Sequence, residues 1–281
     1  MFGWLKRLIT KPHFARLDGA NFPEFKPGTV WLVGAGPGAP GLISLLGYYA
    51  LGQADVIVYD ALVTDGLLGF ANPHAEKIHA GKRGGKPSPK QADISLRIIE
   101  LAKQGKRVLR LKGGDPLMFG RGGEEAGALK RAGVEFRIVP GITAGIGGLA
   151  YAGIPVTHRD ANHAVIFLTG HDENGTVPQS VDWNAIANAA PAIVMYMAVK
   201  HLGSIAEKLI AAGRSKDDKL AIVSNASRPN QSVVMATLAQ AETLAGDTSI
   251  PTPAIVVLGP VNDYREILNW NSDPGDGVEL G

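Results

Sequence analysis

Between Val108 and Glu125 the chain reads VLRLKGGDPLMFGRGGEE, a run dense in side chains able to do chemistry. An apolar stretch ends in Lys112-Gly113-Gly114-Asp115-Pro116, which bares main chain at a strand's carboxyl end, where open α/β sheets bind ligands. Gly113 and Gly114 let a ligand lie against the backbone. Asp115 offers acceptors to ribose-like hydroxyls or to the cationic amino group of an amino-acid moiety. Arg121 and Glu124 put a cation and a carboxylate on one loop. A second glycine-rich segment, VGAGPGAPG, starts at Val33 and follows another apolar run. Its Gly34-x-Gly36-x-x-Ala39 spacing, with Asp60 after the next apolar run, fits a dinucleotide fingerprint and hence a nicotinamide- or flavin-dependent oxidoreductase. Against that reading, Pro37 lacks the N–H a pyrophosphate would use, and a dehydrogenase has no need of the downstream glycines. A tight turn without a ligand is the plainer alternative for the loop.

Other chemistries are narrowed by what is missing. The chain has no cysteine, which removes thiol nucleophiles, Cys-ligated zinc, iron–sulfur clusters and disulfides. His158, His163 and His171 are not at helical i, i+4 spacing and have no acidic cluster beside them, so structural hydrogen bonding is expected of them and no metal site. A net charge of +2 without a basic stripe argues against nucleic acid as partner. No stretch reaches the roughly 18 apolar residues of a membrane span, and a cytoplasmic location is expected. Lys82, Arg83 and Lys86 form a basic loop that either assists an anionic ligand or is a solvated turn.

These residues need a frame to hold them. Short apolar runs at 29–33, 55–59, 107–111 and 135–139 alternate with helical patterns at 43–51, 93–104 and 124–132, which predicts crossover connections and a mostly parallel sheet. Pro140-Gly141 breaks the series, and a small-residue helix over 142–152 follows. Runs at 164–168, 192–196, 220–223, 231–236 and 254–258 form a second series, with a helix over 202–212. The expected class is α/β with two α/β domains. They span 28–145 and 146–270, preceded by an extension over 1–27 and followed by a tail over 271–281. The extension mixes Trp4, Leu5, Leu8 and Ile9 with Lys6, Arg7, Lys11 and Arg16. It is expected to pack on its own domain or on a partner, a membrane-surface helix being the alternative.

VGAGPG, YDALV, GKRGG, RLKGGDP, FGRGGEE, VPGIT, AYAGIPVTHRD and TGH occur in this order from Val30 to His171, and with this spacing the chain resembles the uroporphyrinogen-III C-methyltransferases of the tetrapyrrole methylase group. One departure is Ala39, where the family's loop usually carries an aspartate. The resemblance implies S-adenosylmethionine in a cleft between the domains, where a dinucleotide would not be expected. It points to Pro37, Gly113, Gly114, Asp115, Met118, Thr143, Ala144, Met197, Ala226 and Ala254 as cofactor-binding residues, although Met197 read alone is ordinary strand core. It further implies a homodimer and a carboxylate-rich tetrapyrrole substrate methylated twice, at C2 and C7, to give precorrin-2. Arg121 and Arg159 are then the expected anchors, since guanidinium pairs bidentately with carboxylate. Asp60 and Glu124 are candidates to accept the departing proton or to steer charge. Another tetrapyrrole, or RNA, is the alternative substrate within the same group.

Overall fold

The computed structural model describes residues 21–81, 91–172 and 174–271. Most of the N-terminal extension, the basic loop with Lys82, Arg83 and Lys86, and the tail from 272 onward lie outside the described residues. The first half runs β1 (Val30–Gly34), α1 (Leu45–Gln53), β2 (Val56–Tyr59), α2 (Asp65–Leu68), β3 (Glu76–His79), α3 (Gln91–Lys103), β4 (Val108–Lys112), α4 (Gly122–Arg131) and β5 (Phe136–Val139). Its strands form one parallel sheet in the order β3-β2-β4-β1-β5.

Parallel neighbours need crossovers that return over the sheet faces, so both faces are covered and central strands bury both sets of their side chains, apolar throughout in β1. β1 is buried at every position. Its alternation assigns the sides: Trp31 and Val33 pack with Leu51 of α1, while Val30 and Leu32 pack with Ile98 of α3 and Leu129 of α4.

The second half comprises α5 (Ala144–Tyr151), β6 (Val165–Thr169), α6 (Trp183–Ala189), β7 (Ala192–Tyr196), α7 (Leu202–Ala211), β8 (Lys219–Ser224), β9 (Ser232–Thr237), α8 (Ala241–Ala245), β10 (Ala254–Leu258) and α9 (Arg265–Leu268). The sheet order is β6-β7-β10-β8-β9. β6 and β7 are parallel, whereas β10 runs antiparallel to both β7 and β8, and β9 antiparallel to β8. Leu149 of α5 is buried with Val194, Val223 and Ile255, so α5 lies on this second sheet and the chain passes between the sheets through residues 140–143.

All nine apolar runs expected as strands are strands, β7 and β10 with the expected bounds. The apolar-run reading misses β3, a half-exposed edge strand whose Glu76 and Lys77 are turned out. It also misses α6, seven residues whose one local signal is Asp182 accepting from the Ala185 N–H at 3.0 Å as an N-cap. α1 begins later than the expected Ile43: a 3-10 turn over Pro40–Leu42 intervenes, and Ser44 caps the helix by accepting from the Gly47 N–H. Among the described residues no helix is long and apolar enough to cross a membrane.

Candidate active site

Because β1 and β4 are neighbours, their carboxyl ends lie side by side and bring the two glycine segments together. Gly36 N–H donates to Gly114 O at 3.2 Å and Gly114 N–H to Gly36 O at 2.8 Å. The crossing to the second sheet is packed against this bridge. A Cβ on Gly34 would lie 2.5 Å from Gly141 Cα and 2.6 Å from Gly114 O, so only glycine lets the three segments converge. Asp115 fastens the junction: one carboxylate oxygen accepts from Leu117 N–H at 2.8 Å, the other from Gly141 N–H at 3.0 Å. Each oxygen retains a lone pair for a ligand.

A cavity of about 340 Å³ opens between the loops of the two sheets. All ten expected cofactor residues line it, from six separate segments: Pro37 after β1, Gly113, Gly114, Asp115 and Met118 after β4, Thr143 and Ala144 at the head of α5, Met197 after β7, Ala226 after β8, and Ala254 opening β10. Asp60 and Arg121 line it as well. Glu124 and Arg159 do not. Glu124 turns to solvent and pairs with Arg121, Oε2 to Nη2 at 2.7 Å, and this guanidinium holds its carboxyl below the usual range. Arg159 is exposed on the tight turn that Asn162 closes against His158. His158 itself stacks on Tyr264, ring centroids 3.8 Å apart, and takes the Asp160 N–H on Nδ1.

One wall of the cavity is a buried ionic network that the sequence reading missed. Arg110 and Lys112 sit two residues apart on β4 and are 2% and 3% exposed. Both donate to Glu125 Oε1, at 3.0 and 3.1 Å, and Gln91 donates to the same oxygen at 2.8 Å. The Arg110 fork also binds Asp60, which follows β2, the strand beside β4. Burial, and Arg110 beside it, push the Lys112 ammonium down in pKa, while Asp60 and Glu125 oppose this. Two basic residues at i, i+2 in an otherwise apolar strand were the signal available: buried cations require buried carboxylates.

The opposite wall is held by Tyr196, whose hydroxyl meets Thr143 Oγ1 at 2.7 Å and accepts from Gly145 N–H at 2.9 Å. Burial raises its pKa. Its ring packs on Phe119, which also lines the cavity. Phe119, Arg121, Met197, Asn225 and Ser227 all have positive φ, between 49° and 59°. Three of these line the cavity and the other two flank Ala226. Left-handed backbone at residues with a Cβ is costly and gathers where a site over-determines the main chain.

The geometry disfavours a dinucleotide. The pyrophosphate of such a ligand rests on the N-terminus of the first helix, but here Ala39 leads into a 3-10 turn and α1 starts only at Leu45. β4 is inserted between β2 and β1, unlike the dinucleotide-binding strand order. The residues fit a smaller nucleoside with an amino-acid tail. Glycines and alanines leave flat walls, Asp115 presents acceptors, and the volume lies in the ~300–1,000 Å³ range of small-molecule sites.

Known proteins agree with this arrangement. Residues 29–242 match the model of the Tetrapyrrole (Corrin/Porphyrin) Methylases. A uroporphyrinogen-III C-methyltransferase from Sinorhizobium sp is 61% identical over 251 residues, covering 89% of this chain and 90% of that protein. Siroheme synthase from Zymomonas mobilis is 46% identical over 254 residues, but the chain spans only 52% of its length. Among solved structures, uroporphyrin-III C-methyl transferase from Thermus thermophilus, complexed with S-adenyl homocysteine, has a TM-score of 0.73 at 37% identity, over 84% of this chain and 99% of that one. The chain therefore belongs to the tetrapyrrole (corrin/porphyrin) methylases, on their uroporphyrinogen-III C-methyltransferase branch.

Proposed function

We propose that the chain methylates uroporphyrinogen III at C2 and C7 with S-adenosylmethionine as donor, giving precorrin-2. The observation that carries this is convergence: residues from Pro37 to Ala254, expected from resemblance to hold the cofactor, line one cavity. When bound, S-adenosylmethionine supplies an electrophilic methyl group on a sulfonium. The chain's part is orientation, which in well-aligned reactions is worth ~7–11 kcal/mol. Small residues at 144, 226 and 254 take the flat base, and Asp115 takes hydroxyl or ammonium donors at the junction of the loops. Asp60, held by Arg110 at the cavity wall, accepts or steers the proton that the methylated carbon loses. Arg121 binds a substrate carboxylate from the cavity rim, exchanging the exposed Glu124 for it. Arg159 is a second anchor on the same reading.

The division at 28–145 and 146–270 belongs to this proposal, with the cleft as its seam. So do action in the cytoplasm and a homodimer. Leu117, Ile142 and Ile146, each exposed, line a shallow apolar hollow beside the cleft that a second copy would cover. The test is anaerobic incubation of the purified protein with uroporphyrinogen III and S-adenosylmethionine, read by mass spectrometry. Addition of two methyl groups, lost or strongly slowed in Arg121→Ala, is expected. No transfer by protein that still binds S-adenosylhomocysteine would discard the substrate and keep the cofactor.

A further inference from the structure

Four cations line the cavity among the described residues, and three of them face a carboxylate. Arg110 meets Asp60 and Glu125, Lys112 meets Glu125, and Arg121 meets Glu124. Arg228 has no such partner. It lies on the loop between β8 and β9 and reaches across to the first half, where its Nη2 donates to Leu62 O at 2.8 Å. Its Nε is buried without an acceptor, and burial depresses its pKa.

The side chain is firmly aimed. Ala39 N–H donates to Ser227 Oγ at 2.9 Å, and Ser227 N–H donates to Gln231 Oε1 at 2.7 Å, so the loop is pinned on both sides. A Cβ on Gly38 would sit 2.7 Å from Arg228 Cγ and 3.2 Å from Nε, so the path of the guanidinium exists because residue 38 has none. If tying Leu62 were all that mattered, a neutral donor would do it without the cost of desolvating a charge. A partly buried guanidinium beside a ligand cavity, with one carbonyl for a partner, is short of an anion.

We propose that Arg228 is a carboxylate-binding residue of the cleft, seating one carboxylate of a bound ligand while Nη2 keeps hold of Leu62. This rests on the methyltransferase reading, under which two ligands bring carboxylates: the amino-acid tail of the cofactor and the rim of the tetrapyrrole.

The experiment compares the unaltered chain with Arg228→Met and Arg228→Lys. Three quantities are read: affinity for S-adenosylhomocysteine, affinity for its decarboxylated analogue, and the KM for uroporphyrinogen III. If the seat takes the cofactor's carboxylate, Arg228→Met weakens S-adenosylhomocysteine binding about 10–100-fold and leaves the analogue unchanged, the span of a lost charged hydrogen bond. If it takes a substrate carboxylate, S-adenosylhomocysteine binds as before and KM rises by that factor with kcat retained. In either case Arg228→Lys, which keeps the charge and loses the fork, falls between. The proposal is overturned if neither quantity moves, or if S-adenosylhomocysteine and the analogue weaken equally, which would mark loss of the Leu62 tie alone. Should the methionine variant not fold, Arg228→Lys decides, by the ratio of the two affinities for the cofactor arm and by the KM for the substrate arm. Failure of the unaltered chain to transfer methyl groups would sink the substrate reading, while the cofactor comparison would still judge Arg228.

Discussion

Replacing Glu125 with glutamine should destabilise the first sheet, by an amount that shrinks as the solution becomes alkaline. The network around it balances two cations, Arg110 and Lys112, against two carboxylates, Asp60 and Glu125. Glutamine fills the same space and still accepts a hydrogen bond, but it leaves one uncompensated positive charge where Glu125 is 0% and Lys112 3% exposed. Breaking a buried pair from one side costs ~3–5 kcal/mol. The lower end applies, because Asp60 stays on Arg110 and the amide oxygen stays in place. Lys112 sets the pH dependence. Burial already holds it below 10.5, and Glu125 is one of the groups keeping it up. In the variant it falls further. Between that lowered folded value and 10.5 the unfolded chain binds more protons than the folded one, so stability climbs with pH, by at most about 1.36 kcal/mol per unit. In the unaltered protein the same climb starts later. Urea denaturation at several pH values from about 7 up to 10.5 measures this, followed by the fluorescence of Trp31, which is 3% exposed in the core of the first sheet. A deficit under about 1 kcal/mol at neutral pH, or one that stays constant all the way to pH 10.5, would refute the argument that uncompensated charge is what the variant suffers.

Four further outcomes are expected. Asp60→Asn should lower kcat about 10²–10⁴-fold while S-adenosylhomocysteine binds within a few-fold of normal, as titration would report; equal losses in both would make Asp60 a structural residue. Gly34→Ala should cost about 3 kcal/mol or prevent folding, since its Cβ meets main chain at 2.5 Å. Gly41→Ala, with nothing within 4 Å, should leave the melting temperature nearly unchanged. The Arg107 guanidinium, 2.6 Å from Asp55, holds that carboxyl below 3.8. Its contribution is thus present above 3.8 and lost as pH falls through the lower folded value, so Asp55→Asn should flatten the acid limb of the stability curve and cost at most about 1 kcal/mol at neutral pH.

The strands and longer helices were legible because each buries its side chains through a local period: β1 alternates between two covered faces, and α3 repeats at Ile98, Leu101 and Ala102. The cavity-lining positions were legible through motif resemblance, which says where a residue sits in the chain and not what it touches. Arg110 and Lys112 stood in a quoted motif, yet their partner Glu125 becomes visible only once α4 folds back beside β4. Arg121 and Glu124 read as a cation and a carboxylate on one loop, an anchor and a proton acceptor; folded, they face each other at the surface. Tyr196 meets Thr143 across 53 positions and Arg228 meets Leu62 across 166. No local pattern encodes such pairs, because they depend on how two separately built sheets meet.

The left-handed residues around the cleft change how a scan of it must be read. At Phe119, Met197 and Ser227, alanine deletes the side chain but keeps a Cβ at φ between 54° and 51° or, for Ser227, 59°. Glycine deletes the side chain and releases the main chain, a difference of about 1–2 kcal/mol at such a position. An alanine variant there therefore reports lost contacts alone, and a glycine variant reports lost contacts offset by relief. The gap between the two isolates what the backbone itself stores, one position at a time, without touching the ligand.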